Sequence, residues 1–203
     1  MNKIWVIGLG PGHPDYMLPI AKNKLLQADR VYGGRRHLES YDISGDKVIL
    51  KIPLLETIED IKAHCENEQV AVLVSGDTGF YSFLEMLKKH FKDEVLQTFP
   101  GISSLQYMFA RLNKSYHNAY IGSVHGREIE AEIFNRYETL GLLTDRKQNP
   151  NQIIHRLIDL NISATIYVGE NLSYENEKVT TLHTSKPIER AYSDLCVVVI
   201  QLD

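Results

Sequence analysis

The sequence predicts an α/β protein of two lobes, the first on a mostly parallel sheet and the second on a mixed one. Three observations predict it. Short β-rich runs alternate with helical stretches almost throughout, the pattern of layered α/β folds with mostly parallel pairing. The alternation pauses at a polar stretch, N-K-S-Y-H-N (113–118), and then restarts, dividing the chain into residues 1–113 and 114–203. Glycine-bearing loops follow three of the strands expected in the first lobe.

Residues 3–9 form the first strand, an apolar run ending in glycines. A helix over 17–28 follows, with Leu18, Ala21, Leu25 and Ala28 on one face. Strands are expected over 30–33 and 47–52. Thr57 and Asp60 read as a capping box that opens a helix through Ile58, Ile61 and Cys65. Q-V-A-V-L-V (69–74) is the most hydrophobic strand, followed by a helix over 81–91, a strand over 95–99 and a helix over 103–112. The second lobe begins with a strand over 119–124, a helix over 128–137 and a strand over 140–144. Asn149-Pro150 then starts a helix through Ile153, Leu157 and Leu160. Strands over 164–168, 178–182 and 195–202 close the chain, and the short connection before the last makes the pairing there mixed.

Composition removes several function classes. The net charge of −4 disfavours a nucleic-acid partner. No segment approaches the roughly 18 continuous apolar residues of a membrane helix, and the first apolar run is too short for a secretory signal. Cys65 and Cys196 lie in separate segments outside any C-x-x-C and read as reduced, which fits a cytoplasmic chain. His13, His37, His64 and His125 are scattered without ligand spacing, so no metal site is expected.

The first loop, I-G-L-G-P-G-H-P-D-Y, invites a nucleotide reading and fails it. A dinucleotide fingerprint needs G-x-G-x-x-G, and the third position is His13; the acidic residue expected at the end of the second strand is Gly33-Gly34 instead. A phosphate loop needs Gly-Lys-Ser/Thr, and the chain reads His13-Pro14-Asp15. By itself the loop is equally a tight turn using glycine and proline geometry. Two more loops strengthen a site: S-G-D-T-G-F-Y after the most apolar strand, and F-P-G-I-S-S opening a helix. All three follow strands, so they would gather at one sheet edge, where ligands bind in open parallel sheets. Asp77 would accept hydrogen bonds from a ribose or an amino group, and Ser103 and Ser104 would meet a carboxylate or adenine. Ser103 taken singly also reads as an ordinary N-cap.

In that order, G-L-G-P-G-H-P-D-Y-M, S-G-D-T-G-F-Y-S and F-P-G-I-S-S-L-Q resemble the tetrapyrrole (corrin and porphyrin) methylase family. The resemblance implies two α/β lobes, usually as a homodimer, with S-adenosyl-L-methionine in the cleft between the lobes. It carries cofactor contacts to Pro11, Gly76, Asp77, Thr78, Ser103 and Ser104 and, from the second lobe, to Leu143, Gly169 and Asn171. Y-G-G-R-R-H-L-E, S-V-H-G-R, L-L-T-D-R-K-Q-N-P and V-G-E-N-L-S-Y-E-N-E are similar to one branch, which methylates carbon 5 of the corrin precursor cobalt-precorrin-7. The matches run from residue 4 to about 178. His13 departs from the acidic residue that many members carry there.

The implied substrate is an anionic tetrapyrrole with several carboxylate arms, which calls for cations. Arg35, Arg36 and His37 after the second strand, and Arg127, are the candidates; Arg111, Lys114 and His117 lie near the proposed lobe boundary. Each reads equally as solvated surface charge. His125 is the candidate proton carrier, or simply a loop histidine. Any cobalt would belong to the substrate. A separate decarboxylating methyltransferase of the same pathway would be a partner in function. Cobalt-free precorrin, RNA and diphthamide remain alternative substrates of the fold, and a non-catalytic nucleotide-binding module is the alternative class.

Overall fold

The computed structural model describes residues 3–127 and 129–203. The chain forms two compact units, Met1–Ser103 and Ser104–Asp203. The sequence placed the division after residue 113; the helix before that point packs instead on strands of the second unit, as described below.

In the first unit, β1 (Ile4–Gly8), β2 (Arg30–Gly33), β3 (Asp46–Ile49), β4 (Val70–Val74) and β5 (Leu96–Phe99) form one parallel sheet in the order β3-β2-β4-β1-β5. Its centre is buried on both faces, which is why β1 and β4 are apolar at every position instead of alternating. Trp5, Ile7, Ala71 and Leu73 face one core with Ala21 and Leu25 of α1 (Pro19–Leu25) and Leu38 of α2 (Arg35–Ser40). Ile4, Val6, Val70 and Val72 face the other with Ile58 and Ile61 of α3 (Leu55–His64) and Leu87 of α4 (Leu84–His90).

Two local expectations change. Thr57 does not cap α3, whose N-cap is Leu54; its hydroxyl is buried and accepts the Lys51 N–H at 3.0 Å. The helix expected from residue 17 begins only at Pro19, after a 3₁₀ turn over Pro14–Tyr16 capped by His13. Helix α2 went unread because six residues are too short to show a period.

The second unit opens with α5 (Ser104–Arg111) and carries β6 (Tyr120–Ser123), β7 (Thr139–Leu143), α6 (Pro150–Asp159), β8 (Ala164–Glu170), β9 (Lys178–His183) and β10 (Cys196–Leu202). The sheet order is β6-β7-β10-β8-β9; only β6 and β7 are neighbours in parallel, so the sheet is mixed. Leu140, Leu142, Ile166, Val168, Val198 and Ile200 bury one face against Ile153, Ile154 and Leu157 of α6. Helix α5 presses on the other face: a methyl on Gly141 would sit 2.8 Å from a Phe109 ring carbon, and one on Gly169 2.7 Å from Met108 Sδ. The helix expected over 128–137 is a 3₁₀ turn over Ala131–Asn135, and Glu128 lies outside the described residues.

Candidate functional site

In the first unit, β4 and β5 flank β1 in parallel, so the loops leaving their carboxyl ends are neighbours. β1 leads to α1 on one face of the sheet, whereas β4 leads to α4 on the other. That reversal is the topological switch point at which open α/β sheets bind ligands.

The loops meet there backbone to backbone. Gly10 and Gly76 exchange N–H···O=C bonds of 3.2 and 2.9 Å. A methyl on Gly101 would sit 2.1 Å from the Gly76 carbonyl oxygen, and one on Gly8 2.7 Å from the Gly101 nitrogen. Gly10 and Gly76 have φ of +83° and +67°, conformations that side-chain-bearing residues rarely adopt. Asp77 fastens the third loop: Oδ1 accepts the Gly79 N–H at 2.8 Å and Oδ2 accepts the Gly101 N–H at 3.1 Å. A carboxylate offers about four acceptor sites, so Asp77 retains capacity for a ligand. Thr78 and Ser103 are buried, and Pro11 is half-buried on the first loop. Five expected residues, Pro11, Gly76, Asp77, Thr78 and Ser103, thus lie on three adjoining loops; Ser104 opens the second unit as the first residue of α5.

Arg35, Arg36 and His37 begin α2, which follows β2, the next strand along. Tyr41, at the end of α2, ties that segment to the glycine loop, its hydroxyl reaching the carbonyls of Leu9 and Gly12 at 3.0 and 3.2 Å. No sequence signal marked Tyr41. His37 differs from its neighbours in charge. Burial, and then the nearby Arg36 guanidinium, push its imidazole down to about 4, so it is neutral at pH 7 and offers hydrogen bonds rather than charge. Arg36 donates to Nε2 at 3.4 Å, which puts the ring proton on Nδ1, a buried atom without a hydrogen-bond partner among the described residues.

In the second unit, β7 and β8 both run antiparallel to β10, so the carboxyl ends of β6, β7 and β8 share one sheet edge. His125, Arg127, Leu143, Gly169 and Asn171 all lie there. Leu143 and Gly169 both pair with Val197 and so stand in one row across three strands. Gly169 already has a packing reason, the Met108 sulfur, and Asn171 a backbone one, with φ of 48° and a side-chain oxygen that accepts from Ser193 Oγ at 2.7 Å.

Asp145 organises this edge and was not singled out from the sequence. Its carboxylate accepts N–H groups from Gln148 at 2.6 Å, Gly126 at 2.7 Å and Lys147 at 2.7 Å. It lies 3.9 Å from Nδ1 of the exposed His125. The Gln148 N–H contributes most to holding the carboxyl below its usual range; partial burial opposes this, and the other two N–H groups and His125 add to it. An aspartate ahead of a polar run and Asn-Pro is the signal for such a turn. Glu177 plays a similar part, accepting from Tyr107 Oη at 2.7 Å, Ser173 N–H at 2.7 Å and Arg111 Nε at 2.8 Å. Arg111 is therefore engaged in an ion pair, and Lys114 reaches Gln201 at 2.6 Å.

Among the described residues, no group of three or more His, Cys, Asp or Glu is placed to hold a metal ion. No helix among them is long and apolar enough to cross a membrane.

Known proteins share this arrangement. The chain is 31% identical over 182 residues to a cobalt-precorrin-7 C(5)-methyltransferase of Salmonella typhimurium, covering 89% of this chain and 90% of the relative. It is 31% identical over 209 residues to a probable cobalt-precorrin-7 C(5)-methyltransferase of Methanocaldococcus jannaschii, with 98% of each covered. A crystal structure of a precorrin-6Y methylase of cobalamin biosynthesis from Archaeoglobus fulgidus superposes with a TM-score of 0.80 at 25% identity, covering 99% of this chain and 98% of that one. The model of the Tetrapyrrole (Corrin/Porphyrin) Methylases matches residues 3–186. With the three glycine loops, the switch point and this full-length likeness, the chain belongs to the tetrapyrrole (corrin/porphyrin) methylases.

Proposed function

We propose that the protein transfers the methyl group of S-adenosyl-L-methionine to carbon 5 of cobalt-precorrin-7. The observation that carries the reading is the near-complete match to two relatives bearing that activity in their names. The homodimer, the cytoplasmic location and the separate decarboxylating methyltransferase acting in the same pathway belong to the same proposal.

The first unit's loops fit such a cofactor. Residues 9–16, 75–82 and 100–103 contain no Lys or Arg, and Asp77 places a carboxylate among them. A phosphate would find no cation there, whereas a sulfonium with an ammonium and ribose hydroxyls finds a carboxylate with acceptor capacity left. Bound S-adenosyl-L-methionine supplies an electrophilic methyl. The chain's own contribution is alignment, which can lower a barrier by roughly 7–11 kcal/mol. Asp77 holds Gly79 and Gly101 in place, Pro11 and Thr78 line the loops, and Ser103 and Ser104 offer hydroxyls; Leu143, Gly169 and Asn171 are the second unit's candidates. Arg35, Arg36 and Arg127 supply charge for the carboxylate arms, His37 a neutral hydrogen bond, and His125 takes or gives the proton.

The test is incubation of the purified protein with S-adenosyl-L-methionine and cobalt-precorrin-7, read by mass spectrometry. The expected product carries one added methyl, located on carbon 5. A folded, cofactor-binding protein that leaves this macrocycle unmethylated overturns the substrate assignment.

A further inference from the structure

A polar cavity lies along α6 in the second unit. Its volume is about 180 Å³. Val124, Ile129 and Ile153 supply apolar wall, and Gln148, Gln152 and Arg156 supply donors. Gln152, Arg156 and Asp159, spaced four and three apart, share one stripe of the helix. His155 also borders the cavity but is engaged with Glu189 at 2.5 Å.

Arg156 is the unusual member. Arg30, Arg111 and Arg146 each hold a carboxylate at 2.6–2.8 Å, and Arg190 holds Glu170. Arg156 has neither an ion pair nor a hydrogen bond among the described residues, and its Nε is buried. Arg156 therefore brings to the lining of this cavity a guanidinium that no carboxylate of the described residues neutralises, and an anion placed there would do so.

We propose that this cavity is a carboxylate-binding site with Arg156 as its anion receptor. The planar guanidinium matches a carboxylate in two parallel bonds, the glutamine amides add donors, and the apolar wall takes a short aliphatic stem. Asp159, exposed on the same stripe, sets the charge: it repels a second negative group, so the site takes a monocarboxylate in preference to a phosphate dianion. The carboxylate comes either from a small free acid or, on the reading proposed above, from one arm of the macrocycle.

The test follows the Arg156 Nε–H resonance of ¹⁵N-labelled protein, assigned by its loss in Arg156→Gln. Titration with propionate should shift that resonance to saturation, with phosphate binding at least about tenfold more weakly, and the neighbouring Gln152 and Ile153 amides should stop responding in the variant. This readout is independent of methyl transfer. If propionate leaves the resonance unmoved but Arg156→Gln raises the KM for the macrocycle at least tenfold with kcat unchanged, the occupant is the substrate arm. An unmoved resonance with an unchanged KM overturns the proposal, as does phosphate binding as tightly as propionate.

Discussion

The two units place their candidate residues at strand ends in the same way but hold them by different means. In the first, the loops are fixed by main chain: Gly8, Gly10 and Gly101 are packed at distances that exclude any side chain, Gly76 has a positive φ, and one carboxylate fastens the third loop. In the second, side chains do the fixing: Asp145 and Glu177 gather N–H and hydroxyl donors, and Met108 fills the space over Gly169. Geometry set by main-chain packing tolerates almost no substitution, whereas a side-chain staple can be shortened or replaced at modest cost. On the function proposed above, the first unit's glycine loops would give an invariant cofactor a rigid seat, and the side-chain staples of the second leave more room for adjustment.

Gly101→Ala breaks the contrast most severely. The added methyl meets only backbone, so destabilisation of about 3 kcal/mol or more is expected in urea unfolding. A change under 1 kcal/mol would show that the loops separate freely. Asp77→Ala comes next, leaving the N–H groups of Gly79 and Gly101 without their acceptor at a cost of about 2 kcal/mol, and abolishing cofactor affinity measured by calorimetry. Unchanged affinity in a folded variant would reduce Asp77 to a loop fastener.

Gly169→Ala should cost only about 1 kcal/mol, because the obstructing atoms are a flexible thioether and the far end of the Leu172 side chain, and Met108→Ala should recover part of the loss in a double-mutant cycle. A large fall in cofactor affinity without loss of stability would instead make Gly169 a cofactor contact. His125→Ala, at an exposed side chain, should leave stability within about 0.5 kcal/mol while slowing turnover at unchanged cofactor affinity; wild-type turnover would exclude it from the chemistry.

The pH dependence sharpens the comparison further. His37 has a folded value of about 4, below its unfolded 6.5, so the unfolded chain binds more protons between those values. Its contribution to stability is complete above pH 6.5 and is lost as pH falls towards 4; His37→Gln should flatten that part of the curve. Burial alone would raise Glu177, but Tyr107, Ser173 and Arg111 hold it below its usual range, so its contribution is present above the unfolded value and lost as pH falls through the folded one.

Much of the fold was legible because β1 and β4 are apolar throughout and α5 and α6 carry clear periods. The glycine loops were legible too, because their residue types admit few alternatives. What escaped had no local signature. Tyr41 acts through a contact about thirty positions away in sequence, α2 is a single short helix, and the chain divides before α5 because Gly141 and Gly169 let that helix pack closely on the second sheet. His37 read as a cation because its burial is a tertiary property that residue type does not carry.

The measurement that bears most directly on the central claim, a sulfonium-binding loop cluster built on main chain and Asp77, is calorimetric titration with S-adenosyl-L-methionine, its demethylated product and NAD. The account predicts micromolar binding of the first two, no binding of NAD, and loss of both ligands in Asp77→Ala. Micromolar binding of NAD alone would contradict it.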